Sequence, residues 1–354
     1  MTSFCIHEAM RTPRHEDVAN GLRAKAAALF ESGEISMRQY VSVFGGHALH
    51  HLTRRDGIFL DMESGADASA LARTYSRAKY GSIGDIHYLA AQIVEHLSRE
   101  LDCTGSHWAR LFNEADANGD SVAMMTTGWR NVPSTANVLY DIVVDSINVK
   151  LAHLGLPTII NVKLPRIAPP CENYASLSKE ERERVNLVQD HVIPAENFYR
   201  WAAVHVIFGD DVLITGSTAD KVFDGSMRNG AKSFQAIYPV AFDPSLALAD
   251  AAIEERLNEV DITGKLDATL AALLGAPGYT PILRTLRLVF SGANRSAFAD
   301  FLPRVPSACW LRLYVAALGN EFLRQDDCRP SLSMLRAWLT ETGHLSHDGM
   351  VIAR

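Results

Sequence analysis

Cysteine is scarce and unpatterned in this 354-residue chain: the five at positions 5, 103, 171, 309 and 328 are odd in number and contain no CxxC spacing. Neither a disulfide framework nor a thiolate zinc site is expected, and the thiols read as reduced. Long hydrophobic runs are missing too. Stretches such as Ala202 to Phe208 fall far short of the roughly 20 apolar residues a membrane span needs, and Met1 to Arg14 lacks the apolar h-region of a signal peptide. A cytoplasmic protein with no membrane partner is the expectation. Positive charge is not in excess: 34 Lys and Arg against 41 Asp and Glu give a formal charge of -7, which argues against a surface that coats nucleic acid. A small ligand is the partner this balance favours. Internal repeats and low-complexity tracts are also absent.

What is present is 47% apolar composition, enough for a large core with appended lobes. The first hundred residues read as helices over Asp17 to Phe30, Ser36 to Phe44 and Asp85 to Leu101. In the last of these, Ile86, Leu89, Ala90, Ile93, Val94 and Leu97 recur at helical spacing behind a capping Asp85. From Ser121 the pattern alternates between strand and helix. Strands are expected at Ser121 to Thr127, Thr158 to Leu164, Ala202 to Phe208 and Ser233 to Val240, with helices at Ser134 to Leu154 and Ala219 to Arg228 between them. Alternation of this kind implies a mostly parallel sheet. Helices return at Leu246 to Val260, Pro281 to Phe290, Ala308 to Arg324 and Ser331 to Thr342. The expected organisation is an N-terminal helical lobe (residues 1–105), an α/β core (106–245) and a C-terminal helical lobe (246–354).

The segment from Val204 to Thr218 carries the clearest chemistry. An apolar strand ends in Asp210 and Asp211, then Val212, Leu213 and Ile214, then Thr215, Gly216, Ser217 and Thr218 at the start of a helix. Gly216 allows a tight turn, and the amides and hydroxyls of Thr215 to Thr218 form a cradle for a monophosphate at a helix N-terminus. Two adjacent carboxylates are acceptors that suit the vicinal hydroxyls of a ribose, and they are also ligands for Mg2+. The spacing fits ribose 5-phosphate.

This pattern resembles the phosphoribosyl pyrophosphate loop of type I phosphoribosyltransferases. It is similar in particular to the ComF-like phosphoribosyltransferases associated with tellurium-resistance gene clusters. Further likeness lies in Tyr75 to Gly81, Val132 to Asn137, Lys163 to Arg166, Glu172 to Ser178 and Ala317 to Asn320. The resemblance implies a type I phosphoribosyltransferase-like α/β fold and a Mg2+-assisted enzyme of nucleotide metabolism that moves ribose 5-phosphate from phosphoribosyl pyrophosphate to a small-molecule acceptor, or runs the reverse reaction. A homodimer is compatible with it. It also places a pyrophosphate loop at Trp129, Arg130 and Asn131, a flexible catalytic loop with Tyr174 within 165–197, and a hood over the acceptor in the N-terminal lobe. There Tyr75, Arg77 and Lys79 would meet base or phosphate. Lys163 and Arg166, at a strand end, would stabilise the departing pyrophosphate. One departure matters. Purine-salvage relatives have an acidic residue three places after the second loop carboxylate, whereas this chain has Ile214. That argues against a hypoxanthine-guanine acceptor and leaves orotate-like, amine-like and other acceptors open. A sensor or regulatory subunit that binds phosphoribosyl pyrophosphate without turnover is the alternative, and helical lobes that serve as docking surfaces are a third reading.

Two other patterns read as non-functional. Asp116, Asn118 and Asp120 mimic an EF-hand start, but Gly119 comes too early and Thr127 replaces the bidentate Glu. His47, His50 and His51, expected at a helix end, lack an accompanying carboxylate or thiolate and read as core or surface histidines.

Overall fold

The computed structural model describes residues 25–43, 46–129, 131–165, 202–250 and 252–352. Seven strands among them form one sheet: β1 (Gly46–Arg55), β2 (Ile58–Asp61), β3 (Ser121–Trp129), β4 (Ile159–Pro165), β5 (Val204–Gly209), β6 (Val212–Leu213) and β7 (Ser233–Phe242). Their order is β2-β1-β7-β5-β3-β4, with the short β6 set off this path against β7. The β1–β2 hairpin is antiparallel, and every other pairing is parallel. The mixed α/β class with a mostly parallel sheet is therefore observed.

The chain leaves β3 for β4 on one side and returns to β5 on the other, so the strand order reverses between β3 and β5. In open α/β sheets the crevice outside the carboxyl ends of two such strands is where ligands bind. Side chains of β3 alternate between the faces. Val122 and Met124 join a core with the helices Ile83–Asp102 and Thr135–Leu154, while Ala123 and Met125 join another with Phe208, Phe234 and Val222. With both faces covered, β5 is buried at every position, which is why it reads as an apolar run. The helix Thr135–Leu154 starts from a capping box in which Ser134 and Asn137 satisfy each other's backbone, and Gly155 ends it at φ 70.

The first lobe is not all helix, as the sequence led one to expect. Residues 46–61 are strands that extend the sheet, and β1 runs parallel to β7 with His47 beside Ile237. The segment has few β-branched residues, and its strand character comes from pairing with β7 and packing rather than from intrinsic preference. His47, His50 and His51 accordingly lie on β1 and not on a helix end: His50 meets Gln92 and His51 meets Glu63. The stretch 246–260 is two short helices, Pro244–Ala249 and Ile253–Asn258: Asp250 ends the first in an extended conformation, and its side chain accepts from Ala252 N at 3.0 Å ahead of the second. The helices Ala268–Gly275 and Arg295–Phe301 were not anticipated. The later helices share a core around Trp310, Phe290 and Leu335, into which Tyr80 and Val132 also pack. No helix among the described residues is long and apolar enough to cross a membrane.

At the amino ends of the strands, Asp120 binds both Lys232 and the buried His205, whose other nitrogen lies 2.8 Å from Ser233 Oγ. These side chains fasten the starts of β3, β5 and β7 together. Asp120, the last residue of the EF-hand-like pattern, is thus engaged with protein partners.

His47 stacks on His107 at 6.0 Å and lies 5.3 Å from the Trp108 ring. Burial, then the neighbouring His107 and His96, lower its pKa from 6.5 to about 4. His96 and His107 are also lowered, mainly by burial. These imidazoles are held neutral in the fold and take up protons more readily when unfolded, so their contribution is full above pH 6.5 and is lost as pH falls, for His47 towards 4. At about 1.4 kcal/mol per pH unit, His47 accounts for about 3 kcal/mol across that window. Urea midpoints measured from pH 7.5 to pH 4.5 are expected to fall, and His47→Asn is expected to flatten the slope. An unchanged slope in the variant would rule out His47 as the source.

Candidate active site

The site is built where β5 ends. Gly209 is its last residue, and a Cβ there would lie 2.6 Å from the Tyr140 ring, so only glycine lets the loop leave the sheet above that ring. The Tyr140 hydroxyl sits between two carbonyl oxygens, of Ile237 at 2.5 Å and of Asp210 at 3.2 Å, and so ties the loop to β7. After the two carboxylates, Val212 and Leu213 pair with Val240 and Ala241. Ile214 packs against the main core, which accounts for an apolar residue at that position. Gly216 then adopts φ 72 and opens the helix Ser217–Arg228, as the turn chemistry of the sequence requires.

The two carboxylates have unlike surroundings. Asp211 is 5% exposed, and its Oδ2 accepts from Tyr75 Oη at 2.7 Å and from Lys79 Nζ at 2.6 Å. Burial alone would raise its pKa, but the Lys79 charge and these hydrogen bonds outweigh that and hold it below the usual value. Asp210 is partly exposed, and its Oδ1 accepts from the Asp211 amide at 3.0 Å. Burial first, and then the adjacent Asp211 charge, push the Asp210 pKa well above the ordinary range. Lys79 also faces Glu254 at 3.4 Å, and Arg284 pairs with Glu255 at 2.8 Å and lies 3.8 Å from Glu254. Burial lowers the Lys79 pKa, yet Asp211 and Glu254 raise it overall. A chain of alternating charges therefore runs from the loop into the C-terminal helices.

Tyr75, Arg77 and Lys79 were expected over an acceptor. In the structure each has a protein partner: Tyr75 and Lys79 hold Asp211, and Arg77 forms a bidentate pair with Asp85 at 2.7 and 2.9 Å. Their helix ends beside the loop, which brings positions 75 and 79, one turn apart, onto the same carboxylate. Lys163 lies at the end of β4, 2.6 Å from Asp141 and 4.7 Å from the Trp129 ring centroid, so cation, carboxylate and aromatic face converge beside the β3 terminus. Asn131 donates to the Gly319 carbonyl, and a Cβ at Gly319 would come within 2.8 Å of Asn131. The C-terminal helices thus press directly on the expected pyrophosphate turn. Arg130, Arg166, Tyr174 and the Ser217 side chain lie outside what is described.

Asp141, Tyr140, Glu254 and Arg284 were not singled out from the sequence. Among the described residues, Glu254 connects to the loop through Lys79 and Arg284 through Glu254, and no local spacing signals such contacts. Among the described residues no group of three or more His, Cys, Asp or Glu side chains is arranged to hold a metal ion.

Gly209→Ala is expected to destabilise the protein by about 1–3 kcal/mol through overpacking against Tyr140, read as a lower urea midpoint. A midpoint matching the parent would show that the ring can move aside at no cost. Comparison of the chain with protein-family models, with curated proteins and with solved structures finds no match.

Proposed function

We propose that the chain is a Mg2+-assisted phosphoribosyltransferase that takes ribose 5-phosphate from phosphoribosyl pyrophosphate to a nitrogen-bearing small acceptor. The observation that carries this reading is the placement of the Asp210 to Thr218 loop. A carboxylate pair and a glycine turn at φ 72 opening a helix lie at the strand-order reversal of a mostly parallel sheet. Sugar hydroxyls need acceptors and a phosphate needs amide donors, and the loop offers both in that order.

The residues fit Mg2+. Asp210 is a carboxylate without a cation in ion-pair range among the described residues, and its charge is disfavoured by burial and by Asp211. A divalent ion bound through one or two carboxylates, with water and substrate phosphates completing its shell, needs no larger protein cage. Such an ion would neutralise charge gathering on the departing pyrophosphate.

The chain's own residues do the remaining work. The turn at Gly216 and the following amides hold the 5-phosphate. Asp210 orients the ribose, and Tyr140 and Gly209 fix the height of the loop. Lys163, held on Trp129 by Asp141, presents positive charge on the leaving side. Ile214 supplies no acid or base to the acceptor, which keeps a purine-salvage reaction out of the proposal.

The test is pyrophosphate release from phosphoribosyl pyrophosphate and Mg2+ over a panel of nucleobases and amines. Turnover with at least one acceptor is expected, with a loss of roughly 100-fold or more in Asp210→Asn. Tight binding with no turnover on any acceptor would favour the sensor reading, and absence of binding would sink both.

A further inference from the structure

Asp210 and Asp211 are neighbours of identical chemistry in different settings. Both hydrogen bonds that reach Asp211 from the helix Ser69–Lys79 land on one oxygen: Tyr75 at 2.7 Å and Lys79 at 2.6 Å, each to Oδ2. The Lys79 and Asp211 side chains are 13% and 7% exposed, so solvent screens their attraction little. Glu254 backs Lys79 at 3.4 Å, and Arg284 stands 3.8 Å behind Glu254. Asp211 is thus one end of a closed charge chain. Asp210 adjoins the end of this chain and feels its charges, but has no ion-pair partner of its own: its Oδ1 accepts from the Asp211 amide, and no cation ion-pairs with it among the described residues.

We infer that the two carboxylates divide the work, with Asp210 meeting the ribose hydroxyls and the cation, and Asp211 acting as a positioning residue locked by Tyr75 and Lys79. The identity of the ligand rests on the phosphoribosyl reading; the asymmetry of the pair does not. The lock sets Asp210 through the shared peptide unit. With Oδ2 of Asp211 occupied by two donors and Lys79 already neutralising its charge, the demand for an external cation falls on Asp210. The helix Ser69–Lys79 is itself anchored to the C-terminal half, since Ser76 Oγ donates to the Asn258 carbonyl at 2.5 Å and accepts from the Asp261 amide at 3.1 Å. Lys79 therefore reaches the loop from a fixed base.

The two amide substitutions should behave oppositely. Asp210→Asn removes a poorly compensated charge, whereas Asp211→Asn leaves the buried Lys79 ammonium without its principal counter-charge. Thermal melting and calorimetric titration with Mg2+ and phosphoribosyl pyrophosphate are measured on the parent, both single variants and the double variant Lys79→Met with Asp211→Asn. Asp210→Asn is expected to melt at or above the parent temperature and to bind roughly 100-fold or more weakly. Asp211→Asn should melt several degrees lower. The double variant should recover most of that loss, because both partners of the buried pair are gone, and should bind within roughly tenfold of the parent.

Equal melting losses for the two single variants, or no recovery in the double variant, would overturn the lock. A folded double variant that binds as poorly as Asp210→Asn would overturn the division of work by showing that Asp211 meets the ligand. A parent protein that does not bind phosphoribosyl pyrophosphate would instead defeat the proposed function, and the melting comparison would still decide whether the pair is asymmetric.

Discussion

The buried pair of Lys79 and Asp211 is the contact on which the arrangement of the site depends. Removing two charges from water costs several kcal/mol per ion in a protein interior, and a single attraction offsets this only when the remaining donors and acceptors are also satisfied. Here Tyr75 completes Asp211, and Glu254 gives Lys79 a second anion. These four residues come from three segments far apart in sequence: a helix before the core, the loop after β5, and a helix after β7. The loop's position is thus set by tertiary packing, although its chemistry is local.

That division explains what could be read from the sequence. The strands β3, β4, β5 and β7 and the helices between them were legible because apolar spacing and turn residues are local signals, and Ser134 and Gly155 mark both ends of one helix. The strands β1 and β2 were not legible. Residues 46–55 hold three histidines and two arginines, and their strand form depends on β7 lying alongside. Likewise the carboxylates and Gly216 stood out as a motif, whereas Asp141 as the partner of Lys163 needed the Thr135–Leu154 helix to be packed beside β4. Lys79 and Tyr75 stood out as well, but their hydrogen bonds to Asp211 did not. A cation on a helix beside a binding loop suits a ligand and a carboxylate equally until distances are known.

The C-terminal helices are more than an appendage to the sheet. Their core takes in Tyr80 and Val132, from either side of the site. Thr285 donates to the Tyr80 carbonyl at 2.7 Å, and the Thr280 amide to that of Gly81 at 3.1 Å. Gly81 sits at φ 99, and a Cβ there would come within 2.2 Å of the Thr280 carbonyl oxygen, so the two segments approach as closely as backbones allow. Contacts of this kind transmit small displacements, because a close-packed interior leaves little room to absorb them.

On the proposed reading, this packing bears on where the acceptor is chosen. Side chains that select a ligand must have hydrogen-bonding capacity to give to it. In the first lobe, Arg77 forms its bidentate pair with Asp85, while Tyr75 and Lys79 converge on Asp211. A ligand would have to compete with these partners to recruit them. The Gly319–Asn131 contact lies at the other border, where a segment of the C-terminal helices meets the turn after β3 with no ion pair to break between Asn131 and Gly319. Selection of the acceptor therefore falls more naturally to the C-terminal border of the crevice than to the lobe in which the sequence placed a hood.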